Sequence, residues 1–240
     1  MVRPKLICFD YGETLIHEEP FNGEKGYSKI LEYVKENPYN KTGKDLFKIA
    51  KELNEEIGRF DLERSHLVQY EISDSAFLSY ILALEKLELS VPYEKIANVF
   101  WDEAAKGKAC EGIEDLLSYL RCEKIKTCVI SNMSFSGKIL ENRLKKIIPS
   151  HSFDFIISSS DYVFRKPNKR IFDIALKMAE VQRNETWHCG DRYLCDIKGA
   201  MNAGITPVWY TDKKQSCCDK NIIQISSWKE LKDILQNSHI

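Results

Sequence analysis

The 240-residue sequence lacks a long apolar run, a strong excess of one charge and any internal repeat. No stretch reaches the roughly 20 apolar residues that a membrane-spanning helix needs, so we predict no membrane segment. The 35 basic and 36 acidic residues leave a formal charge of −1, and no basic stripe is interleaved with aromatics. Binding to nucleic acid or to an anionic membrane surface is therefore not expected. The 43% hydrophobic and 30% charged composition is typical of a soluble globular protein.

Paired cysteine motifs are also missing, although the chain has eight cysteines. No CxxC pair occurs, and Cys8, Cys128 and Cys189 lie in apolar segments, which indicates reduced, buried thiols. Adjacent Cys217 and Cys218 lack nearby histidines, which argues against a metal site there. No signal peptide precedes the first apolar segment, and we predict a cytoplasmic protein.

The stretch LICFDYGETL, residues 6–15, stands out near the start of the chain. Its first four residues are apolar, which is typical of a strand buried on both faces. Asp10 ends this run, and Gly12 breaks it. Because ligands of open α/β sheets bind at the carboxyl ends of strands, Asp10 is the first candidate functional residue.

The segment from residue 17 to residue 107 has a different pattern, with no convincing buried strand. Apolar residues recur at helical spacing at Leu46, Ala50, Leu53 and Ile57, at Phe77, Tyr80, Ile81 and Leu84, and at Ile96, Val99 and Phe100. This pattern predicts an all-helical insert. The apolar faces of its helices can pack on one another or on a second subunit.

Strands and helices alternate from Cys110 onward. Apolar strand patterns occur at residues 126–132, 153–160, 185–191, 206–211 and 222–225, with helical patterns between them and a final helix at 228–236. Such alternation predicts right-handed βαβ units and a parallel sheet, which the first strand would join.

Chemically active side chains occur in four places at or just after the predicted strand ends. These are Asp10 with Thr14, then Ser131 with Asn132, then Lys166, and finally Asp191 with Asp196. Taken singly, each is explained equally well as a turn residue, a helix cap or a solvated lysine. Their shared placement favours one functional site.

The motifs DYGET, CVISN, FRKPNKRIF and CGDRYLCDIKGA, in this order and spacing, resemble the haloacid dehalogenase (HAD) superfamily of phosphatases and related hydrolases. The resemblance covers the whole chain. Its most specific part is the Lys-Pro helix start followed by GDxxxxDIxGAxxAG. It implies an α/β fold with a Rossmann-like core, residues 1–16 and 108–240, and an inserted, mobile helical cap, residues 17–107.

The resemblance implies a hydrolase that acts on a small phosphorylated substrate with Mg²⁺ as its cofactor. Asp10 would attack phosphorus and form an aspartyl-phosphate, which divides hydrolysis into two easier steps. The carboxylates of Asp10 and Asp191, with the backbone carbonyl of Gly12, would hold Mg²⁺ among oxygen ligands.

The remaining positions would serve the phosphate group. Ser131, Asn132 and Thr14 would bind substrate, and Lys166 would stabilise charge on the phosphoryl oxygens. Asp196 would orient Lys166 or a metal-bound water from behind.

The sequence departs from the family pattern at Gly12. Most phosphatases of the family have an aspartate at that position, which protonates the leaving group and then activates water. General acid–base help contributes roughly 10²–10⁴-fold to a rate. Glu13 could replace it only if the backbone turns unusually after Gly12, which glycine permits.

Three hypotheses remain. The first is a Mg²⁺-dependent phosphatase that favours good leaving groups and uses water or a cap residue as acid, with candidates Glu63, Arg64, His66 and Tyr70. The second is a haloacid dehalogenase, which needs no such acid but has no use for a metal carboxylate at Asp191. The third is a binding or regulatory protein of low activity on the same scaffold.

Three further features are interpreted structurally. His188, in an apolar strand, is expected to be a core histidine. His17 and the pair Glu18-Glu19 are expected at a hinge surface. The basic run from Arg165 to Arg170 is expected to serve the phosphate site at Lys166 and otherwise to be solvated.

Overall fold

The computed structural model of the protein describes residues 2–58, 70–212 and 219–237. Its strands are β1 Leu6–Phe9, β2 Ile16–Glu18, β3 Gly107–Ala109, β4 Lys126–Ser131, β5 Phe155–Ser158, β6 Thr186–Gly190, β7 Thr206–Tyr210 and β8 Ile223–Ile225. Six of them form one sheet in the order β5-β4-β1-β6-β7-β8, and every neighbouring pair is parallel. The predicted α/β fold with a parallel sheet is thereby confirmed.

The described helices follow the predicted alternation. They are α1 Gly23–Leu31, α2 Gly43–Ile57, α3 Asp74–Leu84, α4 Tyr93–Ala104, α5 Ile113–Cys122, α6 Gly137–Ile147, α7 Ser159–Tyr162, α8 Lys169–Ala179, α9 Lys198–Asn202 and α10 Trp228–Asn237. No helix among the described residues is long and apolar enough to cross a membrane.

Strand β1 lies in the middle of the sheet and is buried on both faces. Ile7 and Phe9 belong to one hydrophobic cluster, whereas Leu6 and Cys8 belong to the cluster on the opposite face. Because successive side chains of a strand point to opposite faces, a continuous apolar run is what such a position requires. Phe9 packs edge-on against Trp228 of α10, with ring centroids 5.7 Å apart.

The carboxyl ends of the central strands meet at one edge of the sheet. β1 pairs with β4 on one side and with β6 on the other. Strands β4 and β5 thus lie on one side of β1, and the later strands β6, β7 and β8 lie on the other. Open α/β sheets bind ligands in the crevice where the strand order reverses in this way. Asp10 follows β1, Ser131 ends β4 and Asp191 follows β6.

A two-stranded antiparallel ribbon lies where the helical segment joins the sheet. In it, β2 pairs with β3, and His17 lies opposite Lys108. The sequence predicts no buried strand between residues 17 and 107, and within that range the ribbon residues are exposed or only half-buried. Strands of three residues are too short to show an alternating pattern.

The helices between β2 and β3 pack on one another. Their buried side chains include Tyr27 and Ile30 of α1, Leu46 of α2 and Phe100 of α4. Thr42 and Asp45 form a reciprocal capping box at the start of α2, which satisfies backbone donors that the first turn leaves unpaired. The helical nature predicted for this segment is therefore seen in its described residues.

Candidate active site

Lys166 connects two aspartates at the carboxyl edge of the sheet. Its Nζ lies 2.7 Å from Oδ1 of Asp10 and 2.6 Å from Oδ1 of Asp196. Burial alone would lower the pKa of Lys166, but the two carboxylates outweigh it and raise the pKa above its ordinary value. Lys166 therefore stays protonated and fixes the orientation of the Asp10 carboxylate.

Asp196 is fully buried behind this lysine. It lies on a π-helical turn, Tyr193–Ile197, and its Oδ2 accepts a hydrogen bond from the backbone N–H of Arg192 at 3.0 Å. A Cβ atom on Gly190 would lie 2.3 Å from Cγ of Asp196, so only glycine lets this carboxylate approach β6 so closely. Because both of its carboxylate oxygens are bonded, Asp196 is held in a fixed position from which it orients Lys166.

His188, on strand β6, also bonds to Asp196. Its Nε2 lies 3.0 Å from Oδ1 of Asp196, and the ring is fully buried. Burial lowers the pKa of His188, but the hydrogen bonds to Asp196 and Cys8 together with the charge of Asp196 outweigh it and raise the pKa. The predicted core histidine is thus also part of the site, and only its place two residues before Gly190 hints at this in the sequence.

Asn132 holds the backbone of Lys166 with both ends of its amide. Its Nδ2 donates to the carbonyl oxygen of Lys166 at 2.8 Å, and its Oδ1 accepts from the Lys166 N–H at 2.7 Å. In this arrangement Asn132 positions Lys166. Neighbouring Ser131 is buried at the end of β4 and lines the same cavity as Asp10. Helix α8 begins at Lys169, with Asn168 as its cap, rather than at the Lys-Pro pair.

Asp191 follows β6 and faces Asp10. Burial and the charges of Asp10 and Asp196 raise the pKa of Asp191 to about 7. Its Oδ1 lies 3.5 Å from Oγ1 of Thr14, which is fully buried. Thr14 therefore contacts the acidic cluster rather than the open part of the cavity.

Three carboxylates are gathered around this one lysine. Ligand atoms of Asp10, Asp191 and Asp196 all lie within 4.8 Å of one another. Burial raises the pKa of Asp10 even though Lys166 acts against it. A divalent cation would neutralise this excess of negative charge, and hard oxygen donors are the ligands that Mg²⁺ prefers. The donor set thus fits a magnesium ion at Asp10 and Asp191.

The backbone turns sharply where the family's usual second aspartate is replaced. Nothing lies within 4 Å of a Cβ atom built on Gly12, and Glu13 has a φ of 52°, in the left-handed region. The backbone therefore departs from extended geometry at Glu13 itself. The Glu13 side chain lines the cavity, and its Oε2 lies 2.7 Å from Nδ1 of His17.

A large cavity lies between the sheet edge and the helical segment. Its volume is about 1260 Å³, and Asp10, Lys166 and Asp191 line it together with residues of α2 and α4. Small-molecule sites usually enclose about 300–1,000 Å³, so the space exceeds what a phosphate group alone needs.

The residues between the cavity and the ribbon form a buried polar cluster that no motif of the sequence indicates. Oε1 of Glu18 accepts hydrogen bonds from Tyr11, Trp101 and Arg143 at 2.7–3.1 Å. The Arg143 side chain is only 4% exposed and also pairs with Asp102 of α4. Glu18 was expected at a hinge surface, but it lines the cavity and is bonded inside this cluster.

Several other residues named from the sequence do not line the cavity or lie outside the described residues. Glu63, Arg64 and His66, like Cys217 and Cys218, lie outside the described residues. Tyr70 is 62% exposed and pairs with Phe164, with ring centroids 5.8 Å apart. Of the basic run, Arg165 lies 3.4 Å from the buried carboxylate of Glu71.

Comparisons with known proteins place this site in context. The sequence profile of haloacid dehalogenase-like hydrolases matches residues 41–210. The human haloacid dehalogenase-like hydrolase domain-containing protein 3 is 35% identical over 95 residues, which cover 40% of this chain and 37% of that protein. The aligned part thus spans well under half of this relative's length.

Two further comparisons cover more of the chain. Pyrimidine 5'-nucleotidase YjjG of Escherichia coli is 27% identical over 210 residues, 85% of this chain and 84% of that protein. The crystal structure of a 2-haloacid dehalogenase from Pseudomonas syringae superposes with a TM-score of 0.63 at 20% identity, covering 99% of this chain and 100% of that one. It shows the fold alone. With the profile matching well over half of its length, the chain belongs to the haloacid dehalogenase-like hydrolase family.

Proposed function

We propose that this hydrolase is a Mg²⁺-dependent phosphatase of a small phosphorylated metabolite, acting through an aspartyl-phosphate on Asp10. The observation that carries the proposal is the placement of Asp191 beside Asp10, with their carboxylates within 4.8 Å. Two carboxylates this close repel each other, which would hinder displacement of a halide by Asp10 in the absence of a metal. Beside a cation it becomes a ligand, which favours phosphatase over dehalogenase chemistry.

The side chains of this site suit the steps of phosphate transfer. With its Oδ1 held by Lys166 at 2.7 Å, Asp10 presents its carboxylate to phosphorus. One carboxylate oxygen forms the new bond to phosphorus while the bond to the leaving-group oxygen breaks. Bound Mg²⁺, held by Asp10, Asp191 and the Gly12 carbonyl, would reduce the repulsion between carboxylate and phosphate dianion. Lys166 and Ser131 would stabilise the phosphoryl oxygens.

The second step is expected to be slow. Water must attack the phosphorus of the aspartyl-phosphate, which releases phosphate and restores Asp10. No carboxylate is attached at residue 12 to take the proton of that water. Glu13, paired with His17 at 2.7 Å, is the nearest carboxylate in sequence and lines the cavity.

We also propose the division into a core, residues 1–16 and 108–240, and a helical cap, residues 17–107. The ribbon of β2 and β3 lies at both boundaries and supports it. A cytoplasmic location is likewise proposed.

Relatives that are named as phosphatases support the proposed reaction. One of them, glyceraldehyde 3-phosphate phosphatase of Methanothermobacter thermautotrophicus, is 32% identical over 92 residues, which cover 35% of this chain and 41% of that protein.

The test is release of inorganic phosphate from acetyl phosphate and p-nitrophenyl phosphate, with and without Mg²⁺. We expect metal-dependent release that disappears in Asp10→Asn and Asp191→Asn and persists in the surface control Asp233→Asn. Chloride release from 2-chloropropionate by the same protein, without phosphate release, would refute the proposal and support the haloacid dehalogenase hypothesis instead. Absence of both reactions in folded protein would favour a binding or regulatory role.

A further inference from the structure

A row of aromatic rings extends along the cavity wall from the nucleophile. Tyr11, the residue after the nucleophile, lies 5.5 Å from Trp101, and Trp101 stacks on Phe135 at 4.6 Å between centroids. Phe135 lies 6.2 Å from Phe100, which lies 6.0 Å from Phe21. All five rings line the cavity that holds the catalytic carboxylates.

The far end of this row is not explained by packing. Trp101, Phe100 and Phe135 are at most 8% exposed, as core residues are, but Phe21 is 57% exposed. Phe21 is held between Phe100 and Phe47, the latter at 6.4 Å. A phenylalanine fixed by two neighbouring rings and still facing solvent inside a cavity presents a flat apolar surface. A planar ligand would remove that surface from water.

The near end of the row lies beside the reacting carboxylate. The ring system begins at Tyr11, so a ring bonded directly to the phosphate oxygen would meet Tyr11 and Trp101 first. The polar groups at this point are bonded to one another: the Glu18 carboxylate accepts hydrogen bonds from both rings and from Arg143, whose guanidinium lies over the Trp101 ring, 4.6 Å from its centroid. Because these polar groups are already paired with one another, the rings rather than hydrogen-bonding groups are what this part of the wall offers to a ligand.

The absence of an aspartate at residue 12 also favours an aromatic leaving group, for a reason that is independent of the rings. Without an aspartate at this position, the leaving-group oxygen must depart largely as an anion. A phenol has a pKa of about 10, like the tyrosine side chain, whereas an alkyl alcohol is far more basic. A phenolate therefore departs without the help that an alkoxide requires.

From these two independent features we infer that the substrate class is aryl phosphates, with the aromatic ring lying along the row from Tyr11 to Phe21. This inference rests on the proposed phosphatase function. In the reaction an oxygen of Asp10 forms a bond to phosphorus, and the bond from phosphorus to the aryl oxygen breaks. The electron pair stays on the phenolate, which takes a proton from water. Water then hydrolyses the aspartyl-phosphate.

The test separates recognition of the ring from leaving-group chemistry. We would compare kcat/KM for 1-naphthyl phosphate with kcat/KM for a fluoroalkyl phosphate whose alcohol has nearly the same pKa. We expect the wild type to favour the aryl ester at least tenfold. Phe21→Ala is expected to reduce that ratio about threefold to tenfold, the range of a lost aromatic contact, and Phe21→Leu to reduce it less. Tyr80→Ala, which removes a 51% exposed ring on α3, is the matched control and should keep the ratio.

Each outcome decides the inference. Equal kcat/KM for the two esters in wild type, or the same fractional loss for both in Phe21→Ala, would overturn recognition of the ring while leaving phosphatase activity standing. Acetyl phosphate, which has a good leaving group and no ring, is the separate arm for the proposed function. If it too releases no phosphate, the proposed function fails and the inference fails with it. Stronger competitive inhibition of acetyl phosphate turnover by benzylphosphonate than by propylphosphonate would support the ring site without any ester cleavage.

Discussion

Asp191→Asn is expected to abolish activity and yet to stabilise the metal-free protein. Burial and the neighbouring carboxylates of Asp10 and Asp196 raise the pKa of Asp191 from 3.8 to about 7. A carboxyl group whose pKa is higher in the folded state makes folding less favourable as pH rises between the two values. Its unfavourable contribution is absent below about pH 4 and complete above about pH 7.

The size of the effect follows from the interval between the two pKa values. Each pH unit corresponds to about 1.4 kcal/mol, so the interval from 3.8 to about 7 corresponds to about 4 kcal/mol at pH 8. Because Asp191 is only partly buried, we expect Asp191→Asn to raise the free energy of unfolding by about 2–4 kcal/mol at pH 8. At pH 5 the gain should be much smaller, since most of the wild-type group is then protonated in the folded protein.

The assay is urea unfolding in EDTA at pH 8 and pH 5, with Asp233→Asn as the control for loss of one exposed carboxylate. A lower or unchanged free energy of unfolding for Asp191→Asn at pH 8 would refute the electrostatic account of the cluster. Adding Mg²⁺ at 1,000 times Kd should reverse the order of stability. Binding at that concentration stabilises a folded protein by about 4.1 kcal/mol, and only the wild type retains both ligands.

Three further predictions concern the same site. Gly12→Asp should raise kcat for alkyl phosphates by about 10² or more, because a Cβ there meets no atom within 4 Å and the new carboxylate can serve as acid and base; unchanged kinetics in a folded variant would contradict our account of Gly12. His188→Leu should lower the free energy of unfolding by about 1.5–3 kcal/mol, measured by urea unfolding, because it removes the hydrogen bond to the buried Asp196 carboxylate. Mg²⁺ affinity, measured by calorimetry, should fall about tenfold for each pH unit below 7, because Asp191 must lose its proton to bind metal; a flat profile from pH 7 to pH 5 would be inconsistent with Asp191 as a ligand.

Much of the fold could be predicted from the sequence because the strands of the main sheet are buried on both faces. A run such as that of β1 needs apolar residues at every position, and the first polar residue then marks its carboxyl end. Asp10, Ser131 and Asp191 were recognisable for this reason. Parallel pairing alone brings such positions to one edge of the sheet.

Other parts depend on contacts between distant segments and leave little trace in the sequence. Arg143 lies in an amphipathic helix like any surface arginine, yet it is buried against Glu18 and Ala105. His188 has the pattern of a core residue, and its bond to Asp196 exists only because a π-helical turn returns to the strand. The short ribbon of β2 and β3 is defined by its pairing and not by any pattern within either strand.

The central claim is that Asp10 becomes phosphorylated during turnover. The most direct measurement is mass spectrometry of protein quenched in acid seconds after mixing with acetyl phosphate and Mg²⁺. The account predicts a mass increase of one phosphoryl group, located on the peptide that contains Asp10, long-lived because residue 12 carries no base, and missing in Asp10→Asn and in EDTA. Release of phosphate at the same rate with no phosphorylated protein, or with the group on another residue, would contradict it.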